Sequence, residues 1–153
     1  MATWHEFARA EPEMAKLGSR IFAKYGIAYL ATTRIDGAPR IHPVCPAIVD
    51  DRMILGIIPD TPKRRDLERD GRCAIHGLPG PNDAEICVSG TARGLSAQDV
   101  ARLIELAPAN VRIATDVAMF EIDIQQVSWT TYQTESGSRP VPAKGRWLAD
   151  RTV

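Results

Sequence analysis

The chain has 153 residues, 44% of them hydrophobic, which is enough for one domain with an apolar core. Its 19 basic and 19 acidic side chains cancel, so it lacks the basic excess of a sequence-independent nucleic-acid binder. It also lacks the ~20-residue apolar run of a membrane span and the apolar core of a signal peptide, and its three cysteines predict reduced thiols in a cytoplasmic protein.

The first predicted elements are a helix and a strand. Apolar side chains recur at helical spacing from Phe7 to Phe22, which predicts a helix over residues 5–25, and Gly26 is a good C-terminal cap. Residues 27–35 are rich in β-forming side chains and predict the first strand.

A hairpin is predicted to follow. Asp36-Gly37 favours a two-residue turn with positive φ, and the return strand would cover about Pro39–Val49. Pro43 and Pro46 interrupt this strand, and proline cannot donate to a ladder. We therefore expect part of the strand to lie at an edge, to be bulged or to face a ligand.

The next strand and helix meet at the most informative corner of the chain. A turn at residues 50–52 leads into an apolar strand at 53–58, which ends at Pro59-Asp60. Thr61 is then the predicted N-cap and Pro62 the first residue of a helix that reaches about residue 70.

Three bases, Lys63, Arg64 and Arg65, occupy the first turn of that helix. Cations are unfavourable there, because the helix dipole is already positive and the first amides lack partners. A bound phosphate would satisfy the amides, the Thr61 hydroxyl and the bases together. The alternative is a solvated basic face whose local ion-pair partners are Asp66, Glu68, Arg69 and Asp70.

The second half predicts more strands than helices. Strands are expected at 72–76, at 85–95 with a break at Gly90, and at 118–131, with a helix capped by Ser96 at 97–107. The tail from 135 to 153 has no predicted element, and its bases Arg139, Lys144, Arg146 and Arg151 favour a flexible basic extension. Closely spaced strands joined by hairpins predict a mainly β fold, a small antiparallel Greek-key barrel with helical covers. A parallel sheet would need helices between the first three strands.

These motifs, in this order, resemble the pyridoxamine 5′-phosphate oxidase-like split-barrel family. The likeness spans about residues 5–130, and its matching residues are Thr33, Arg34, Asp36, Gly37, Pro39 and Arg40, then Thr61, Lys63, Arg64, Leu67, Asp70, Gly71 and Arg72. It implies a single split-barrel domain over residues 1–153 that forms a homodimer and holds FMN, or the deazaflavin coenzyme F-420, at the subunit interface.

The resemblance also implies which residues bind the cofactor. The segment after the hairpin turn would line the isoalloxazine ring, with residues Arg40, Ile41, His42, Pro43 and Val44, and with Ile58 and Pro59 nearby. Thr61, Lys63 and Arg64 would grip the phosphate.

Departures from the family pattern argue against a true pyridoxamine phosphate oxidase. Cys45 stands where that enzyme carries a substrate-binding lysine, Glu85 is the nearest equivalent of a flavin-contacting glutamine, and the tail has no clear Arg-x-His motif. The chain is similar to the short, functionally divergent bacterial relatives.

The predicted function is an FMN-dependent oxidoreductase that moves hydride or electrons between the flavin and a small molecule. The alternatives are a reductase that uses F-420, whose acidic tail could use Arg65 and the tail arginines, and a non-catalytic flavin or haem binder. No catalytic residue is identified; His42 could bond a flavin edge, act as a proton donor or be structural. No metal site is predicted, because the pairs His42-x-x-Cys45 and Cys73-x-x-His76 place their side chains on opposite faces of strands.

Overall fold

The computed structural model describes residues 2–109, 111, 113–133 and 139–150. Within these residues the helices are α1 Trp4–Ala10, α2 Pro12–Tyr25, α3 Pro62–Arg69 and α4 Ala97–Leu106, with a 3-10 turn at Pro81–Asp83. The strands are β1 Ala28–Thr33, β2 Pro39–Val44, β3 Pro46–Val49, β4 Arg52–Ile57, β5 Arg72–Gly77, β6 Glu85–Gly94, β7 Ala118–Gln133 and β8 Val141–Leu148. No helix in this part of the chain is long and apolar enough to cross a membrane.

The strands form one antiparallel sheet in the order β2-β1-β5-β6-β7-β4-β3, and β8 pairs with β7. The long strand β7 pairs with β4 near its start and with β8 near its end, while β6 runs along most of its other side. Strands β2 and β3 are consecutive in the chain but lie at opposite ends of the sheet order, so the chain crosses the opening of a curled sheet at Cys45. The predicted mainly β split barrel with helical covers is confirmed.

One face of the curled sheet forms the core. Alternate residues of neighbouring strands, such as Leu30, Ile75 and Val88, are fully buried, as the two-residue period of a strand requires. The first two helices close this core with Phe7 and Ile21, among others. A smaller cluster on the other face places Leu103 of α4 against Val49, Ile54 and Met119.

The predicted single helix over residues 5–25 is wrong in one respect, because two helices occupy this span. The first ends at Ala10, and the second starts at Pro12 as its first residue. Proline has no N–H and its ring clashes with the preceding turn, so it starts a helix more readily than it continues one. Gly26 ends the second helix in the left-handed conformation, as predicted.

The hairpin is confirmed, but its turn is longer than predicted. Arg34 pairs with Ala38, and only Gly37 has positive φ (82°), which is a three-residue loop closed by a left-handed glycine. The two-residue turn with positive φ occurs instead at Asp50 and Asp51. The predicted strand Pro39–Val49 is two strands, β2 and β3, on opposite sides of the barrel opening.

The expectation of a flexible tail is wrong for residues 141–148, which form β8. Trp147 lies 5.6 Å from Phe7 between ring centroids, so it belongs to the core. Gly145 faces the Trp129 ring so closely that a Cβ atom would overlap it, which explains glycine in this strand. Residues 134–138 and Arg151 lie outside the described residues.

Candidate anion and cofactor site

The corner between β4 and α3 has the local structure that its sequence predicts, with one difference. Thr61 is the N-cap in an extended conformation, and Pro62 opens the helix. The Thr61 hydroxyl, however, donates to the Ile58 carbonyl at 2.9 Å and gives the helix no side-chain cap. The first turn of α3 therefore keeps amide groups that a ligand can satisfy.

The bases of this corner differ in how far they are already engaged. Arg64 pairs with Glu68 at 2.7 Å, and Arg65 donates to the Asp60 carbonyl at 3.1 Å. Lys63 forms no ion pair with any described residue. The group of three bases thus reduces to one cation that is free to meet an anion.

Asp66 fixes α3 onto the first hairpin. Its carboxylate is 3% exposed and accepts hydrogen bonds from Thr32 Oγ1 (3.0 Å), Arg40 Nε (2.7 Å) and Arg69 Nη1 (3.3 Å). Burial raises the pKa of Asp66, but the hydrogen bonds from Arg40 and Thr32 outweigh it and hold the pKa below its ordinary value. Arg40, predicted to line the ring, therefore has its Nε committed to positioning α3.

The predicted ring-lining segment, β2, presents two different faces. Ile41 is 65% exposed and Pro43 is exposed, whereas Arg40 and His42 are half-buried and Val44 is buried. This alternation follows from the strand period, so the five side chains cannot all meet one face of a ring.

The exposed face of β2 continues as an apolar surface. Tyr29 of β1 pairs with Pro43 and is 48% exposed, and Ile58, just after β4, is 62% exposed. Pro59 next to it is also exposed. These are the apolar side chains that this part of the site offers to a flat ring.

His42 has the most unusual environment in the site. Its Nε2 atom is buried and has no hydrogen-bond partner among the described residues. Burial lowers the pKa of His42, the positive charges of Lys63 and Arg40 lower it further, and Asp66 raises it. The imidazole is therefore neutral at pH 7 and faces the same corner as Lys63.

The largest described cavity, a groove of about 790 Å³, lies on the other flank of α3 and was not predicted. Its lining includes Arg64 and Leu67 of α3, Val100 and Ile104 of α4, and Phe120 of β7. The helical spacing of the α4 side chains was the one signal in the sequence that pointed to an apolar face there. The groove adjoins the corner only through Arg64.

Comparisons with known proteins identify the fold. No family model and no curated protein matches the chain. A pyridoxamine 5′-phosphate oxidase-related, FMN-binding protein from Nostoc punctiforme superposes with a TM-score of 0.62 at 12% identity, covering 94% of this chain and 97% of that one. PhzG from Burkholderia lata, solved with tetrahydrophenazine-1-carboxylic acid, gives 0.60 at 13% identity over 92% of both chains.

A haem binding protein from Mycobacterium smegmatis gives a TM-score of 0.58 at 18% identity, covering 83% of this chain. The match spans only 56% of that protein's length. At these identities the structures share a fold. The resemblance to the pyridoxamine 5′-phosphate oxidase-like split barrels is thus confirmed at the level of the fold, which holds different ligands in different proteins.

Proposed function

We propose that this protein binds FMN at the interface of a homodimer and acts as an oxidoreductase on a small molecule. The observation that carries the proposal is the corner at α3, where an uncapped helix start and the unpaired Lys63 lie beside an exposed apolar surface. A phosphate and a flat aromatic ring are the two chemical parts that such a corner accommodates.

The residues fit the two parts of FMN. Lys63 and the amides of the first turn would bind the phosphate. Arg64 can join them, because an exposed i,i+4 ion pair such as Arg64–Glu68 contributes only about 0.3–0.5 kcal/mol and a phosphate dianion competes with it easily. Ile41, Pro43, Ile58 and Pro59 would contact the ring.

The exposed apolar surface also supports the homodimer. In a single chain Tyr29 and Ile41 remain 48% and 65% exposed on adjacent strands. A second copy related by a two-fold axis would cover this surface and enclose the ring from its open side. Light scattering on the purified protein measures the mass of the assembly directly.

A bound flavin would supply hydride or single-electron transfer, and the protein would supply placement and electrostatics. The described residues provide anchoring at Lys63, an apolar surface, and a neutral imidazole at His42. None of them is assigned as a catalyst. PhzG shows that an enzyme can be built on this fold.

The decisive experiment is to identify the chromophore that co-purifies with the protein, by mass and by absorption near ~450 nm, as expected of a flavin. FMN supports the proposal. Bleaching by a nicotinamide donor and reoxidation by an added acceptor would support an oxidoreductase rather than a carrier. Recovery of F-420 would replace FMN by the deazaflavin coenzyme on the same residues, and an apoprotein that binds neither would refute the proposal.

One observation favours haem as the second candidate ligand. His76 Nδ1 donates to the Gly77 carbonyl at 2.7 Å, which leaves Nε2 as the nitrogen with a free lone pair on an exposed strand position. Histidines that ligate metals are oriented by such a bond. A Soret band that is lost in His76→Ala and kept in Lys63→Ala would favour haem.

A further inference from the structure

The unpaired Nε2 of His42 calls for a physical explanation. Leaving a buried polar atom without a hydrogen bond costs about 1–3 kcal/mol, and most such atoms in folded proteins have a partner. A neutral imidazole carries one N–H and one lone pair, so Nε2 offers either a donor or an acceptor. The missing partner is expected where the atom points, near the corner.

The charged groups around His42 are unbalanced. Arg40 on its own strand and Lys63 on α3 act on it as cations, and Asp66 on α3 is the opposing anion. Asp66 is already shared by Arg40 and Arg69. Leu30, opposite on β1, is apolar, and Arg52 on β4 is paired with Glu121. The cation without a counter-ion on this side is Lys63.

We propose that His42 is part of the anion site, and that its Nε2–H donates to the bound phosphate while the imidazole takes up a proton as the anion binds. This assigns His42 to the phosphate rather than to the ring. The proposal rests on the proposed function only in placing the anionic group of the ligand at this corner.

The physical cause is a reversal of the local field. Without a ligand, a protonated His42 would stand beside Lys63 with no anion to stabilise it. A phosphate monoester brings a charge of about −1.5 to −2 at pH 7, which exceeds the charge of Lys63 and favours the imidazolium. Because binding and protonation are linked reciprocally, ligand binding raises the pKa of His42, and its protonation tightens binding.

The test is a pH titration of the histidine ring nitrogens by NMR on the full chain, with and without saturating FMN. We expect the titration midpoint of His42 to rise by at least one pH unit when FMN binds. His5, on α1 and paired with Asp51, and His76 serve as internal controls whose midpoints should stay within a few tenths. An unchanged His42 midpoint in the presence of bound FMN would overturn the proposal.

A variant separates a structural role from this one. His42→Gln keeps an N–H donor but cannot titrate. We expect it to fold, to bind FMN within about tenfold of the wild type, and to lose the proton uptake that calorimetry in two buffers of different ionisation enthalpy measures. Uptake equal to that of the wild type would rule His42 out. If FMN does not bind at all, the proposed function fails, and the same titration with inorganic phosphate still decides the role of His42.

Discussion

Two buried carboxylates of this molecule show how differently an ion pair can be used. Glu121 is 4% exposed and Asp66 is 3% exposed. Glu121 receives both nitrogens of Arg52, at 2.8 and 2.5 Å, and the cluster around Ile54 and Leu103 covers it. Asp66 holds two arginines and a threonine, but beside it Lys63 and the Nε2 of His42 have no partner.

The difference lies in what remains unsatisfied. Around Glu121 every strong donor of the pair is used, so the arrangement accounts for stability and leaves nothing for a ligand. Around Asp66 the carboxylate is equally satisfied, yet a cation and a buried nitrogen beside it are not. A buried charge therefore indicates a structural contact, and unpaired groups beside it indicate a binding site.

The largest effect is expected from Glu121→Gln. The change leaves the Arg52 guanidinium, whose side chain is 22% exposed, without its counter-charge. We expect a loss of about 3 kcal/mol in the free energy of unfolding, measured by urea denaturation, with FMN affinity unchanged. The matched control is Arg93→Ala on the neighbouring strand, whose ion pair with Asp123 is exposed and should contribute less than about 1 kcal/mol. Equal losses in the two variants would contradict the distinction.

Asp66→Asn should affect both stability and binding, because Asp66 anchors α3 to the first hairpin. We expect about 2 kcal/mol less stability at pH 7, from the loss of charge-assisted hydrogen bonds, together with weaker FMN binding. Since the folded-state pKa of Asp66 lies below its ordinary value of 3.8, its contribution is present above pH 3.8 and is lost as the pH falls through the folded-state pKa. The stability gap between the wild type and the variant should therefore narrow in acid, and a constant gap from pH 7 to pH 3 would show that ionisation is irrelevant.

Lys63→Ala should leave stability unchanged and weaken FMN binding by about 10- to 100-fold, as expected for the loss of one charge-assisted contact to a phosphate. The matched control is Arg65→Ala, which removes the same charge from the same helix turn but takes away a guanidinium that is bound to the Asp60 carbonyl. Fluorescence titration of FMN measures both. An equal loss in the two variants would mean that net charge, and not position, drives binding.

The smallest effect is expected from Glu68→Ala. This change frees Arg64 from its i,i+4 pair, which contributes only about 0.3–0.5 kcal/mol. FMN should then bind up to about twofold more tightly, in the same titration. A decrease in affinity would place Arg64 outside the phosphate site.

Local chemistry made several features predictable from the sequence. Gly37 closes the first hairpin, and the start of α3 lies at Thr61-Pro62. The irregularity of β6 falls at Ser89–Gly90, and Ser96 caps α4 together with Asp99. Each depends on side chains within a few residues of one another, so a single sequence contains the whole cause.

Contacts between distant segments could not be predicted in this way. The pairing of β8 with β7 and the packing of Trp147 depend on a partner strand that also curls onto β6 and β4. Arg40 is 26 residues from Asp66, and nothing near either residue indicated that Asp66 would bind its Nε. The roles of the three bases at the corner were equally hidden, since the acceptors of Arg65 and Arg69 include backbone carbonyls.

The order of residues was sufficient to establish a mainly β chain with a basic helix start, because strand period, turn residues and capping are local. The three-dimensional arrangement was needed to show which base is left free and which faces of β2 are covered. It was also needed to show that a histidine nitrogen is buried without a partner. These depend on burial and on competition for hydrogen bonds among segments far apart in the chain, and both exist only after the sheet has curled.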